Sequence, residues 1–415
     1  MAEVKEIAHK YRWVIMVVLW SAYIIVFVQR LSIGPLSPFL KEEMSLNNAQ
    51  IGGLVSAAVF GNMASMLPAG WATDRFGIRR VLFVGEIFAG IFLLGMFLVP
   101  SYQMALIIMG IAGFGCGCLQ PATTKGVLVW FPRRERAIVM GFKQTAVNVG
   151  GMLSAAILPT LAIAMGWRFG FLIIGGIAIA IGIMSYILYK DPPVSAISLS
   201  LSANDKSSVS STPTPPSISL REFMKGREMW LLASAAFALV AVEFGVLNQL
   251  VLYLTEELQY TVITAGALLA LTEGGGVLGK PGGGFLSDRV FGGSRKIVYM
   301  MWGGIACIMC LLIALFGDSL SWGLYPILFF FGVTAIGWGG LNLTLVGEMA
   351  GIELAGRVTA IVSFITSGGV ALGPPLFGYI VDTTGSYQLA WFFCTGLCAI
   401  NVALLSFVRE DRRRM

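Results

Sequence analysis

The chain has 415 residues, 57% hydrophobic and 12% charged, with a formal net charge of +6 and a mean hydropathy of +0.82. Soluble globular proteins carry about 25% charged residues, so this composition excludes a water-soluble fold and identifies an integral membrane protein. The basic excess raises nucleic acid as a partner, but its distribution along the chain assigns it to membrane topology.

Apolar runs of about 20 residues, the length that crosses a bilayer as a helix, predict twelve spans. They run from Trp13 to Pro38, Gln50 to Trp71, Val81 to Leu98, Gln103 to Trp130, Ala137 to Met165 and Phe169 to Tyr189, and then from Trp230 to Leu254, Thr264 to Leu286, Ile297 to Phe316, Trp322 to Gly347, Ala355 to Ile380 and Tyr387 to Phe407. A bilayer offers backbone groups no water, and the segments are too long for barrel strands, so the fold is read as all-α. The first apolar run is far longer than a signal h-region and lacks a small-residue cleavage site, so it is expected to remain as span 1. Pro35, Pro38, Pro68, Pro121, Pro159, Pro281, Pro374 and Pro375 sit in or near spans and should bend them. Cys116, Cys118, Cys307, Cys310, Cys394 and Cys398 all fall within spans and are read as apolar packing. No His accompanies Cys307-x-x-Cys310, so neither a metal site nor a cofactor is expected.

Between the spans, the bases gather in alternate loops and the tails. Lys5, Lys10 and Arg12, Arg75, Arg79 and Arg80, Arg133, Arg134 and Arg136, Lys190 to Arg227, Arg289, Arg295 and Lys296, Arg357, and Arg409 to Arg414 share one side, whereas Lys41 and Arg168 lie on the other. By the positive-inside rule both termini and the central segment are cytoplasmic, in a multi-pass protein of the cell's inner membrane. From Asp191 to Leu220 the chain turns to Ser, Thr and Pro, a composition that cannot bury a core and is read as a flexible linker. The expected units are therefore 1–190, the linker 191–227, and 228–415. The stretch from Arg221 to Arg227 is expected to lie along the membrane interface.

The two large units repeat one another. At a constant offset of 214 residues, Asp74-Arg75 falls on Asp288-Arg289, Leu40 on Leu254, Glu42 and Glu43 on Glu256 and Glu257, Gly52 on Gly266 and Gly70 on Gly284. Parallel repeats of half a chain are how many secondary transporters are built, with the substrate site at the repeat interface. The expected architecture is two pseudo-symmetric six-helix bundles.

Gly70-x-x-x-Asp74-Arg75-x-Gly77-x-Arg79-Arg80, echoed at Gly284 to Arg289, resembles the signature loop of the major facilitator superfamily. The resemblance covers nearly the whole chain and implies alternating access, with this loop latching the cytoplasmic side. It carries a gate role onto Asp74, Arg75, Arg136, Asp288, Arg289 and Arg357, with Asp74 meeting Arg136 and Asp288 meeting Arg357. Arg30-Leu31-Ser32-Ile33, the loop from Phe131 to Ala137, and Gly166-Trp167-Arg168 are similar to the anion:cation symporter and sugar-phosphate permease branch, which implies an organic anion as substrate. The chain departs from that branch at Gln29, Met109 and Cys116, where proton-coupled members carry an acid, an Arg and a Glu. Lys280-Pro281-x-x-Gly284 also resembles monocarboxylate porters, with Lys in place of Arg, and favours a carboxylate.

Within the spans stand the bases Arg30, Lys125, Lys143 and Lys280 and the acids Glu86, Glu243 and Glu273. Each intramembrane charge costs at least about 2.5–3.5 kcal/mol on insertion scales, so these groups must face a cavity or one another. An anion in a low-dielectric cavity needs counter-charge. Arg30 with Lys143 or Lys280 is therefore expected to clamp it, and structural pairing of Lys143 or Lys280 with Glu86 or Glu273 is the alternative. Glu243 and Glu273 are the carboxyls able to take up and release a proton; the sole His, His9, lies in the tail. Neutral lining is expected from Tyr23, Gln29, Gln120, Gln144, Asn148, Asn248, Gln249, Trp338 and Asn342, any of which could instead be an interhelical hydrogen bond. The expected function is proton-coupled transport of a small organic anion by a monomer in the lipid bilayer. The alternatives are a nitrate porter, suggested by Asn148-Val149-Gly150-Gly151, a drug/proton antiporter, and a transporter-like solute sensor. Nothing resembles an enzyme's nucleotide loop, metal cluster or activated nucleophile.

Overall fold

The computed structural model describes residues 2–131, 133–190 and 226–408, so the linker and the basic C-terminal tail lie outside the described residues. Within them the helices are α1 (Ala2–Leu31), α2 (Ile33–Met44), α3 (Asn48–Phe76), α4 (Ile78–Gly95), α5 (Tyr102–Gly117), α6 (Leu119–Trp130), α7 (Arg133–Met165), α8 (Trp167–Leu188), α9 (Arg227–Leu252), α10 (Val262–Phe285), α11 (Arg295–Phe316), α12 (Leu324–Ala335), α13 (Gly339–Thr384) and α14 (Tyr387–Phe407). Twelve helical segments are long and apolar enough to cross a membrane, each overlapping one predicted span, and there are no strands among the described residues.

Local breaks follow from residue chemistry. Pro35 has no N–H to offer the carbonyl of Leu31, and α1 ends there, with α2 resuming after Ser32. Pro121 stands in the same relation to Gly117, and the fourth crossing divides there into α5 and α6. The other span prolines, from Pro38 and Pro68 to Pro374 and Pro375, lie inside unbroken helices. Gly337 to Gly340 surround Trp338 where α12 gives way to α13. Unlike the expected loop between the tenth and eleventh spans, helical geometry continues through 351–357 and joins both crossings in α13. That stretch contains no proline, and Ile352, Glu353, Leu354 and Ala355 tolerate a helix well.

Two six-helix bundles result, one before the linker and one after it. They meet along three seams, α3 with α13, α7 with α10, and α2 with α9. The approach is close enough to require glycine: a Cβ on Gly276 would lie 2.6 Å from Asn148 Nδ2, and one on Gly52 would collide with the backbone of Pro374 and Pro375. Outward faces carry exposed Trp13, Val17, Ile91, Ile107, Ile163 and Ile308, an apolar coat suited to lipid.

Candidate functional site

At one end of the molecule the bundles are bound together. Lys41 pairs with Glu256 at 2.6 Å and donates to Asn48 Oδ1 at 3.0 Å, and Tyr387 donates to Glu256 at 2.7 Å. Asp382 accepts from the backbone N–H groups of Asn48 (2.9 Å) and Ala49 (2.7 Å), so a carboxylate of the second bundle caps the N-terminus of a first-bundle helix. Gln249 donates to the carbonyls of Asn48 and Pro374, and Ser56 Oγ to that of Ala371.

At the opposite, basic end the ion pairs among the described residues stay within each bundle. Asp74 pairs with Lys125 at 2.6 Å, not with Arg136, whose Nε donates to the Phe131 carbonyl at 3.0 Å. This corrects the expected latch: Lys125 hangs from α6 directly over the end of α3 and also reaches the Thr73 carbonyl. Asp288 pairs with Arg295, which also meets Glu348. The side chain of Arg357 lies outside the described residues. Arg75 stacks over Trp71 and Phe76, and Arg289 is exposed. Toward this end a Cβ on Gly141, Gly282 or Gly284 would meet no atom within 4 Å.

Between the two ends lies the cluster of intramembrane charges. Arg30, on the last turn of α1, has its guanidinium 5.6 Å from the Phe27 ring and 5.8 Å from the Phe244 ring, one from each bundle. Among the described residues it meets no carboxylate and no hydrogen-bonding side chain. A guanidinium without a protein counter-ion in an apolar bundle is costly, and a bound anion is one species that offsets the cost. Beside it, Gln29 is buried with Nε2 unpartnered.

Lys143 is held inside the first bundle, bonded to Thr124 Oγ1 (2.8 Å) and Thr123 Oγ1 (3.3 Å) and lying 4.2 Å over the Tyr23 ring. It pairs with no acid, and the alternative of a Lys143–Glu86 pair is overturned. Glu86, on α4, is fully buried against Gly182 of α8 and faces the Ser185 hydroxyl of that helix. The base that second-bundle helices bring to the seam is Lys280. Its Nζ donates to Asn148 Oδ1 at 2.5 Å, while Asn148 Nδ2 donates to Glu273 Oε2 at 2.9 Å. Glu243 accepts from Trp338 Nε1 at 3.0 Å, and Trp338 stacks on Tyr299 with centroids 5.6 Å apart. Lys280 lies within electrostatic reach of both Glu243 and Glu273.

Of the residues expected as neutral lining, Tyr23 lies under Lys143 and Trp338 on Glu243, whereas both ends of the Asn148 amide are taken by Glu273 and Lys280 and leave it no free group for a ligand. Asn342 is buried with Oδ1 unpartnered, and Gln120 and Gln144 are partly exposed. Asn248 is different: it is fully buried and bonds the Phe244 carbonyl of its own helix, at the tight crossing of α9 with Gly34. Gln249 seals the Asn48 end. Phe27, Phe244, Tyr299 and the far-end network of Lys41, Glu256 and Asp382 were not singled out by sequence. For Glu256 a signal existed in its repeat match to Glu42.

The sequence model of the Major Facilitator Superfamily matches residues 19–369. A hexuronate transporter of Bacillus subtilis (strain 168) is 24% identical over 404 residues, covering 94% of this chain and 93% of its own. A probable sulfoacetate transporter, SauU, of Cupriavidus necator is 26% identical over 418 residues, covering 96% and 94%. Among solved structures, a bacterial homologue of the human lysosomal transporter Spinster, in an inward-facing and occupied conformation, is similar with a TM-score of 0.71 at 18% identity, covering 96% of this chain and 94% of that one.

Proposed function

The chain belongs to the major facilitator superfamily, a family of membrane transporters, and we propose that it is a secondary transporter that moves a small organic anion together with a proton. The observation that carries this reading is Arg30, a guanidinium between rings of both bundles with no counter-ion of its own. The names of the hexuronate and sulfoacetate transporters support a carboxylate or sulfonate substrate.

The anion binds Arg30 and draws toward Lys280, so that one base from each bundle contributes charge. Gln29 and Asn342 offer an unused donor and acceptor for the substrate's neutral groups, and Tyr23 and Trp338 supply aromatic walls. Lys143 sets the positive potential from behind Tyr23 without touching the second bundle. Glu243 and Glu273 take up the proton, since each is a buried intramembrane carboxyl within electrostatic reach of Lys280.

The bases put the Asp74 end in the cytoplasm. With that orientation the Asn48 end is the outer one and is closed, while the cytoplasmic latches are separate, which is an inward-facing arrangement. The units 1–190 and 228–415 are then the two rocking bodies.

Uptake into proteoliposomes of a panel of sugar acids, mono- and dicarboxylates, sulfoacetate and nitrate, with and without an acid-outside gradient, tests the reading. The expected result is accumulation of an organic acid that rises with the gradient. Accumulation of nitrate or of cationic drugs alone, or binding with no accumulation of any solute, would overturn it.

A further inference from the structure

Asn148 is fully buried at mid-seam, and both faces of its amide are committed to the opposite bundle. Its Nδ2 donates to Glu273 Oε2 at 2.9 Å and its Oδ1 accepts from Lys280 Nζ at 2.5 Å. Among the described residues this is the one side-chain hydrogen-bonded link between α7 and α10. It also lies at a close approach of that seam, where a Cβ on Gly276 would fall 2.6 Å from its Nδ2. A carboxamide has a donor and an acceptor on opposite sides, which is what a bridge between an acid and a base requires.

We propose that Asn148 is a positioning residue that makes proton uptake at Glu273 and anion binding at Lys280 depend on one another; the inference rests on the reading of the protein as a proton-coupled anion transporter. With Glu273 ionised, its charge and that of Lys280 cancel across the amide. A proton on Glu273 leaves Lys280 uncompensated until an anion arrives. The empty carrier and the carrier holding both ligands are then the two arrangements in which the seam can close and re-form without an uncompensated charge on the Glu273–Asn148–Lys280 bridge. A half-loaded carrier would bury one, at a cost that keeps it from reorienting.

The ionisable groups that face Glu273 are Lys280 on its own helix and Glu243 on α9. The neighbouring faces of α7 and α12 present Asn148, Gly151, Met152, Gly332 and Val333 at this level, and Lys143 is turned to Thr123 and Thr124. Glu243 and Glu273 both act on Lys280, but only Glu273 shares the Asn148 amide with it, so the anion competes with Glu273 across that amide, which holds the competitors in register.

The test compares Asn148→Leu and Asn148→Gln with the wild type in proteoliposomes, using D-glucuronate and sulfoacetate as probes. Anion exchange needs the loaded carrier to reorient; accumulation on a proton gradient needs the empty one as well, and needs half-loaded forms to stay put. Asn148→Leu is expected to keep exchange within about three-fold of wild type while gradient-driven accumulation falls about ten-fold or more and loses its dependence on outside pH, a coupling loss in the usual range. Asn148→Gln should restore much of it. The inference is overturned if Asn148→Leu accumulates either probe with wild-type pH dependence, or if exchange and accumulation fall in parallel and Gln does no better than Leu. A wild type that takes up neither probe, or takes one up indifferently to the gradient, overturns the transporter reading itself, and the inference with it.

Discussion

Arg30 and Lys143 are both cations in apolar helices, yet their surroundings assign them different duties. Arg30 meets the Phe27 and Phe244 rings, while Lys143 has two threonine hydroxyls and the Tyr23 face. A charged hydrogen bond is worth about 1.5–3 kcal/mol, so Arg30→Ala should weaken apparent substrate affinity about ten- to a hundred-fold, read from concentration-dependent uptake. Lys143→Met should chiefly alter stability, read as a shift in thermal unfolding in detergent, with affinity changed by less. Glu273→Gln removes an acid without removing its shape. It should leave exchange active while uncoupling uptake from the proton gradient, and gradient-driven accumulation at the wild-type level would exclude Glu273 as the proton site. The charges were legible in the sequence because an apolar span makes each one expensive and therefore conspicuous. Phe27 and Phe244 were not, since phenylalanine is ordinary in a membrane helix and only the fold places these two around a guanidinium. The partner of Asp74 was missed for a related reason: Lys125 is 51 residues away in sequence, and only the α5–α6 break sets where it hangs.

At the level of helices, proline and glycine decide where the bundle can bend and where it can close. Pro35 and Pro121 interrupt their crossings at the carbonyl four residues back, as their missing N–H dictates, whereas Pro68, Pro159, Pro374 and Pro375 leave the helix unbroken. Sequence therefore marked the possible bends but not which neighbours would absorb them. The same holds for α13, where a segment expected to loop is helical because nothing in it forbids a helix. Gly52 is the element-scale prediction. In the closed end its Cα faces the backbone of Pro374 and Pro375, so Gly52→Val cannot seal there. A membrane-impermeant maleimide should then react from the outside with a reporter Ser56→Cys, which the Ala371 carbonyl otherwise covers, several-fold faster than in the Gly52 parent.

Across the whole molecule, the two ends are held by different chemistry, and that difference sets which conformation dominates. The twelve crossings and the repeat were legible because hydropathy and a constant offset are properties of the chain alone. The balance between conformations was not, because it depends on contacts between residues hundreds of positions apart. At the Asn48 end, the Lys41–Glu256 pair, the Tyr387 hydroxyl and the Asp382 cap all run from one bundle to the other or brace a group that does. At the Asp74 end, the Lys125 and Arg295 pairs each close within a bundle. Among the described residues, the ion pairs and helix cap that cross between the bundles are thus at the Asn48 end. An exposed ion pair contributes about 0.2–1 kcal/mol, and a carboxylate accepting two backbone N–H groups at a helix N-terminus about 1–2 kcal/mol. Asp382→Ala combined with Lys41→Met should therefore shift the population toward opening at the Asn48 end by about 1–3 kcal/mol, which is about five- to a hundred-fold. Spin-label distances across that end would lengthen and those across the Asp74 end would shorten together, as a rocking motion requires. If the first pair lengthened while the second stayed fixed, the substitutions would have frayed one end and left the exchange between conformations untouched. The single change Asp382→Asn keeps one acceptor for two N–H groups and loses the charge, so it should fall between the parent and the double variant. Because the Lys41–Glu256 contribution is screened by salt and the helix cap less so, raising ionic strength should move the parent part of the way toward the Lys41→Met variant and leave that variant nearly unchanged.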